Sequence, residues 1–168
     1  MNKLIIPIII LFAAFSRLIP HPPNFTPIIA IGLFAGAYLK DYRQALLIPL
    51  LGMVFSDIIL GFHVIMIWVY SSLIIITFIG IGLRKRINFV NCSASLLGGA
   101  LLFFLISNLG VWLMGGYEKS ISGLITCYTM AIPFFHNTLA GSAFYGTLLF
   151  GGYGAIKYFL KESILDSI

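Results

Sequence analysis

The sequence predicts an all-α, polytopic membrane helix bundle of about six transmembrane helices with both termini in the cytoplasm. Three observations predict it. First, 60% of the 168 residues are hydrophobic and only 9% are charged, with a mean hydropathy of +1.06; a water-soluble domain of this length needs far more charge on its surface. Second, the apolar residues form long runs separated by short polar punctuation, the pattern of successive membrane spans. Third, the basic residues fall at the ends of those runs, where lipid headgroups and the cytoplasmic bias for Lys and Arg account for them. Residues 1–168 read as a single integral membrane domain, without low-complexity tails or a clear internal repeat.

A helix rises about 1.5 Å per residue, so a hydrocarbon core of about 30 Å needs about 20 residues. The first candidate, Leu4 to Ile19, is slightly short, with Arg17 able to snorkel outward. The second, Pro27 to Leu39, is too short to cross without tilt or local thinning of the bilayer. Gln44 to Leu60, His63 to Leu83 and Cys92 to Met114 form the third, fourth and fifth. The apolar stretch from Ile121 to Phe135 is interrupted by Pro133 and is expected to stay on the outer side as a re-entrant or interfacial segment. The last span then runs from about Asn137 to Leu160.

Charge sets the orientation. With the N-terminus inside, eight of the ten basic residues are cytoplasmic: Lys3, Lys40, Arg43, Arg84, Lys85, Arg86, Lys157 and Lys161. Only Arg17 and Lys119 remain outside, and the reverse orientation breaks the positive-inside rule. The expected location is therefore a membrane crossed several times, with both ends on its cytoplasmic side. A competing expectation concerns the start, "MNKLIIPIIILFAAFS", which also has the layout of a cleavable signal peptide. Cleavage would leave five spans and keep every other segment on its side. The net charge of +5 carries no implication of nucleic acid, because the basic residues do not gather into a solvated patch. Cys92 and Cys127 lie in apolar segments and read as small packing residues rather than a disulfide.

With this topology the remaining polar side chains collect on the outer side. Arg17, His21, Asn24 and Thr26 come from the first outer loop and its flanks; Asp57 and His63 lie at the outer ends of the third and fourth spans. Asn108 and Trp112 lie in the outer part of the fifth, and Tyr117, Glu118, His136 and Asn137 come from the last outer loop and the final span. Polar groups are costly in a bilayer and tend to face a cavity or one another. The loop "RLIPHPPNFTPIIA" holds four of the seven prolines, which keep it extended. Thr26 followed by Pro27 predicts a helix start, with the threonine as N-cap and the proline at the first helical position, and the shortness of that helix places its amino end below the outer surface, with free N–H groups facing the space above. Asp57, the one acidic residue well inside a span, is expected to pair with Arg17, to meet a ligand amine or to serve as a proton-coupling site. Trp112 and Asn108 share a helix face on which a flat ligand could stack. "GLFAG" offers a small-residue face, for packing within the chain or on another membrane protein. The expected substrate contacts are thus Asn24, Thr26, Asp57, Asn108, Trp112, His136 and Asn137. The three histidines lack a local metal-ligand spacing, and no metal or cofactor is expected.

Four segments, "HPPNFTPIIAIGLFAGAYL", "IPLLGMVFSDIILGFH", "SNLGVWLMGGY" and "GLITCYTMAIPFFHNTLAG", together resemble an uncharacterised family of small bacterial membrane proteins described as candidate transporters. Two positions depart from that pattern: His136 stands where Arg is expected and Ser142 where Asp is expected. More loosely, the layout is similar to the substrate-binding (S) components of energy-coupling-factor vitamin transporters. That resemblance implies six helices, cytoplasmic ends, and a vitamin-sized molecule held near the outer face under the first loop. It also implies a separate transmembrane coupling protein and a pair of ATPase subunits as partners, although the first helix carries "FAAFS" in place of their Ala-x-x-x-Ala docking pattern.

Enzyme motifs are absent from the sequence: there is no G-x-x-x-x-G-K-[ST] loop, no His-Glu-x-x-His and no Gly-x-Ser-x-Gly. The expectation is a non-enzymatic substrate-capture or transport protein in the lipid bilayer. Its competitor is a membrane scaffold or assembly subunit that holds partners and no ligand.

Overall fold

The structure, a computed structural model, describes residues 4–165, apart from the side chains of Ile5 and of residues 160–165; the anchors Lys3 and Lys161 lie outside that description. Its elements are α1 (Ile5–Phe15, extended by a 3₁₀ turn Ser16–Leu18), α2 (Ile28–Tyr38), α3 (Tyr42–Leu60), α4 (Met66–Leu83), α5 (Phe89–Met114), α6 (Ile121–Gly146), a π turn (Thr147–Gly151) and α7 (Gly152–Leu165). The described chain has no strand. Because α6, the π turn and α7 follow without a break, the described residues form six helical rods.

The short helix is the centre of the molecule. Every residue of α2 from Ile28 to Ala37 is buried, so it shows no polar stripe, as expected of a helix wrapped on all sides. One side packs with Ile10, Ala14, Tyr145, Leu149 and Tyr153 of α1, α6, the π turn and α7. The other packs with Met53, Leu73, Ile76 and Phe103 of α3, α4 and α5. The small-residue face is used inside the chain: a methyl group on Gly36 would lie 2.2 Å from the Thr77 carbonyl oxygen, and one on Gly80 would lie 2.4 Å from the Leu33 carbonyl oxygen. Two backbones touch there, which only glycine permits. At its carboxyl end, α2 is capped from α4: Arg84 Nε donates to the Gly36 carbonyl at 2.9 Å and Arg84 Nη2 to that of Leu39 at 2.6 Å. A cation on the last carbonyls of a helix satisfies orphan acceptors and complements the dipole. Arg84, expected as a headgroup anchor, is thus tied into the protein.

Local chemistry sets the other ends. Asp41, Asn88 and Ser120 cap α3, α5 and α6, each accepting a backbone N–H of the first turn. Gly61 ends α3 with φ +95°, a conformation in which a side chain is strained. Pro7 lies in the first turn of α1, where its missing N–H costs nothing.

Two expectations are corrected. The segment Ile121–Phe135 is not re-entrant or interfacial: α6 runs unbroken through Pro133 to Gly146. A proline removes one ladder bond, and in a helix of 26 residues whose Pro133 faces outward the neighbouring bonds carry the turn through. The deviation occurs lower down, as the five-residue π turn. The second concerns Thr26, which does not cap α2: the N-cap is Pro27, with no side-chain hydrogen bond, and the helix begins at Ile28.

Among the described residues three helices, α3, α4 and α5, are long and apolar enough to cross a membrane. Their outer faces carry Leu47, Leu51, Phe55, Ile75, Phe78, Leu97, Leu101 and Leu105, all exposed. A continuous apolar exterior around a packed interior is the surface a lipid solvent requires, and marks a membrane protein.

Candidate functional site

The amino end of α2 is sunken. Ile29 packs against Gly99, a point about 22 Å along α5 from its end at Met114, taking 1.5 Å per residue. The backbone of Phe25 and Thr26 meets Gly141, about 30 Å along α6 from Ile121 by the same measure. The 19–27 loop therefore plunges between taller neighbours, and a cavity of about 500 Å³ opens beside it.

That cavity draws on most of the chain, including Ile28 of α2 and Tyr117 of the α5–α6 loop. Arg17 comes from the 3₁₀ turn; Pro23, Asn24 and Thr26 come from the loop; His63, Ile65 and Val69 come from the start of α4 and the turn before it. Phe103, Ser107 and Asn108 line it from α5, and Cys127, Met130 and Phe134 from α6. Asn24 takes φ 64°, a left-handed conformation that asparagine tolerates better than most residues. Its carbonyl accepts the Thr26 N–H at 3.0 Å. Asn137 Nδ2 donates to the Pro23 carbonyl at 3.0 Å, tying the loop to α6.

The charged centre is a buried pair. Arg17 Nη1 lies 2.8 Å from Asp57 Oδ1, with the two side chains 10% and 1% exposed. Nη1 also donates to Ser56 Oγ and contacts Met53 Sδ. Tyr70 donates to the other carboxylate oxygen at 2.7 Å. Both Asp57 oxygens are therefore engaged, and the expected pairing with Arg17 is present. Arginine, not the aspartate, meets the cavity.

Of the seven residues expected to touch a substrate, Asn24, Thr26 and Asn108 line one cavity. Asp57 stands behind Arg17, and Asn137 holds the loop from outside the lining. Trp112 serves the α5–α6 corner: its indole N–H donates to the Glu118 carbonyl at 2.9 Å, and the Lys119 ammonium lies over the Trp112 ring and donates to the Trp112 carbonyl. His136 is exposed on α6 and does not line the cavity. His63 lines it while His21 does not, so the three histidines do not converge. No group of three metal-ligating side chains occurs among the described residues.

Sequence reasoning missed the α6 wall. Cys127, Ala131 and Phe134 recur at helical spacing on one face and line the cavity together, a pattern hidden by treating Pro133 as a break.

A family model, described as a family of unknown function (DUF6580), matches residues 1–163. The chain belongs to the DUF6580 family. No curated protein and no solved structure matches it. Every part of this DUF6580 site, from Arg17 to Phe134, falls inside the matched residues.

Proposed function

We propose that this protein captures or transports a vitamin-sized small molecule, held in the cavity beside the sunken end of α2. One observation carries the reading: a cavity of about 500 Å³ with apolar walls, into which several polar groups converge from separate elements. That volume suits an organic molecule of cofactor or vitamin size, and convergent polar groups on apolar walls are what orients such a ligand. The Asn24 amide, the Thr26 hydroxyl and the Tyr117 hydroxyl have no side-chain hydrogen bond among the described residues, which leaves them free for a guest.

In this reading all six rods traverse a bacterial inner membrane, with both termini cytoplasmic and the cavity at the outer face. Lys40, Arg43, Arg84, Lys85 and Arg86 lie in or beside the connections at the end away from the cavity, which suits the cytoplasmic bias for basic residues. The cavity beside the first loop favours an S-component-like role, with a coupling protein and ATPase subunits as partners. In this reading the chain's own groups bind and orient the guest.

Native mass spectrometry of the full chain, released from nanodiscs, tests the proposal. One small molecule per chain is expected. A stoichiometric partner protein on a chain that never carries a small molecule would establish the scaffold role instead.

A further inference from the structure

The free edge of Arg17 constrains what the cavity holds. All the hydrogen bonds and the ion pair of this guanidinium run through Nη1. Its Nε and Nη2 have no partner among the described residues. No buried side-chain nitrogen lacks a partner, so these two are accessible, and Arg17 is a lining residue of the cavity. The Nε–Nη2 side is the planar fork that takes an acceptor through two parallel N–H bonds. At a residue that lines the cavity it is a preformed pair of donors, held because Asp57, Ser56 and Met53 fix the opposite corner.

Charge then limits that acceptor. The Arg17–Asp57 pair sums to zero, and apart from Arg17 the lining holds no Asp, Glu, Lys or Arg. A carboxylate on the fork would leave one uncompensated negative charge beside Asp57 in a low-dielectric surround, and a buried unpaired charge is costly. An ammonium head would face donors that repel it. A neutral carbonyl accepts both N–H bonds without either cost. The same lining holds Ile28, Val69, Phe103, Met130 and Phe134, which suit an apolar body.

We propose that the cavity selects a net-neutral amphiphile whose carboxamide-type carbonyl sits on the Nε–Nη2 edge of Arg17 while its apolar body lies against Phe103, Met130 and Phe134. This rests on the capture reading and specifies its ligand class.

A matched series with one body tests it: 4-phenylbutanamide, 4-phenylbutanoate and 4-phenylbutylamine, titrated against the full chain in nanodiscs by native mass spectrometry and thermal shift. The amide is expected to bind at least about tenfold more tightly than either charged analogue, since a site built for hydrogen bonding discriminates strongly. Arg17→Lys keeps the charge and loses the fork, and should erase the preference. The double variant Arg17→Gln with Asp57→Asn keeps the site neutral without stranding a buried charge, and should also lose it. A carboxylate or amine that binds best overturns the inference and leaves capture standing, as does an amide preference that survives both variants. If no probe binds but the purified chain carries another small molecule, the ligand class is wrong and capture holds. If neither probes nor a resident molecule bind, both fall.

Discussion

Arg17 shows how one residue changes meaning with its surroundings. At the end of an apolar run it reads as an anchor that snorkels to the headgroups; in the fold it is held inside the bundle by Asp57, 2.8 Å away. Removing one member of a buried pair strands the other, so Asp57→Ala should destabilise the protein by about 3–5 kcal/mol. Replacing the pair together, as Arg17→Met with Asp57→Leu, should recover most of that loss. Tyr70→Phe removes one bond to the carboxylate and should cost about 1.5–3 kcal/mol. Thermal unfolding in one detergent checks all three, and a double replacement no better than the single one would refute the pairing account. The residue scale also explains which side chains were legible. A carboxylate inside a span and an arginine at its depth announce each other by cost alone, whereas Trp112 and His136 could not be placed, because interfacial aromatics and histidines suit a pocket wall or a loop corner equally well.

At the scale of elements, α2 organises the rest. Its 11 residues are too few to cross a bilayer upright, and its neighbours reach beyond its amino end, which is what leaves a chamber there. Between apolar helices in lipid there is little hydrophobic drive, so close packing and hydrogen bonds hold them together. The Gly36–Gly80 contact and the Arg84 cap are those bonds. Gly36→Ala drives a methyl into the Thr77 carbonyl and should cost at least about 1–3 kcal/mol through forced separation of α2 and α4. Gly98→Ala, where an added methyl group meets nothing within 4 Å, should leave the melting temperature unchanged or slightly raised. Equal effects from the two would show that the α2–α4 contact is not what packs the bundle. The small-residue pattern was visible in the sequence, but not its partner: Gly32 and Gly36 fit any close helix, and the matching Gly80 lies far along the chain. Pro133 misled for a related reason. A proline is a break only when the surrounding helix cannot absorb one missing bond, and the 26 residues of α6 absorb it.

For the whole molecule, Lys40, Arg43, Arg84, Lys85 and Arg86 lie in or beside the connections at the end away from the cavity. If the proposed orientation holds, reporters that fluoresce only in the cytoplasm should be active when fused after Asp41, Lys85 or the last residue. Reporters active only outside should work after Phe62 or Tyr117. The inverse pattern would place the cavity on the cytoplasmic side and remove the case for capture from outside.

By itself the sequence determined the solvent and the class of fold: composition and hydropathy are local sums, so apolar runs of helix length settle that the chain is all-helical and built for lipid. It also located the shortened second helix and the proline loop before it, because length and proline placement are read one residue after another. Only the tertiary structure decided that Arg17 rather than Asp57 meets the cavity, that α6 runs through its proline to form a wall, and that Asn137 ties the loop from outside. Those outcomes depend on which distant residues come within a few ångströms, and a distance between separate helices is a property of their packing, not of any stretch of chain.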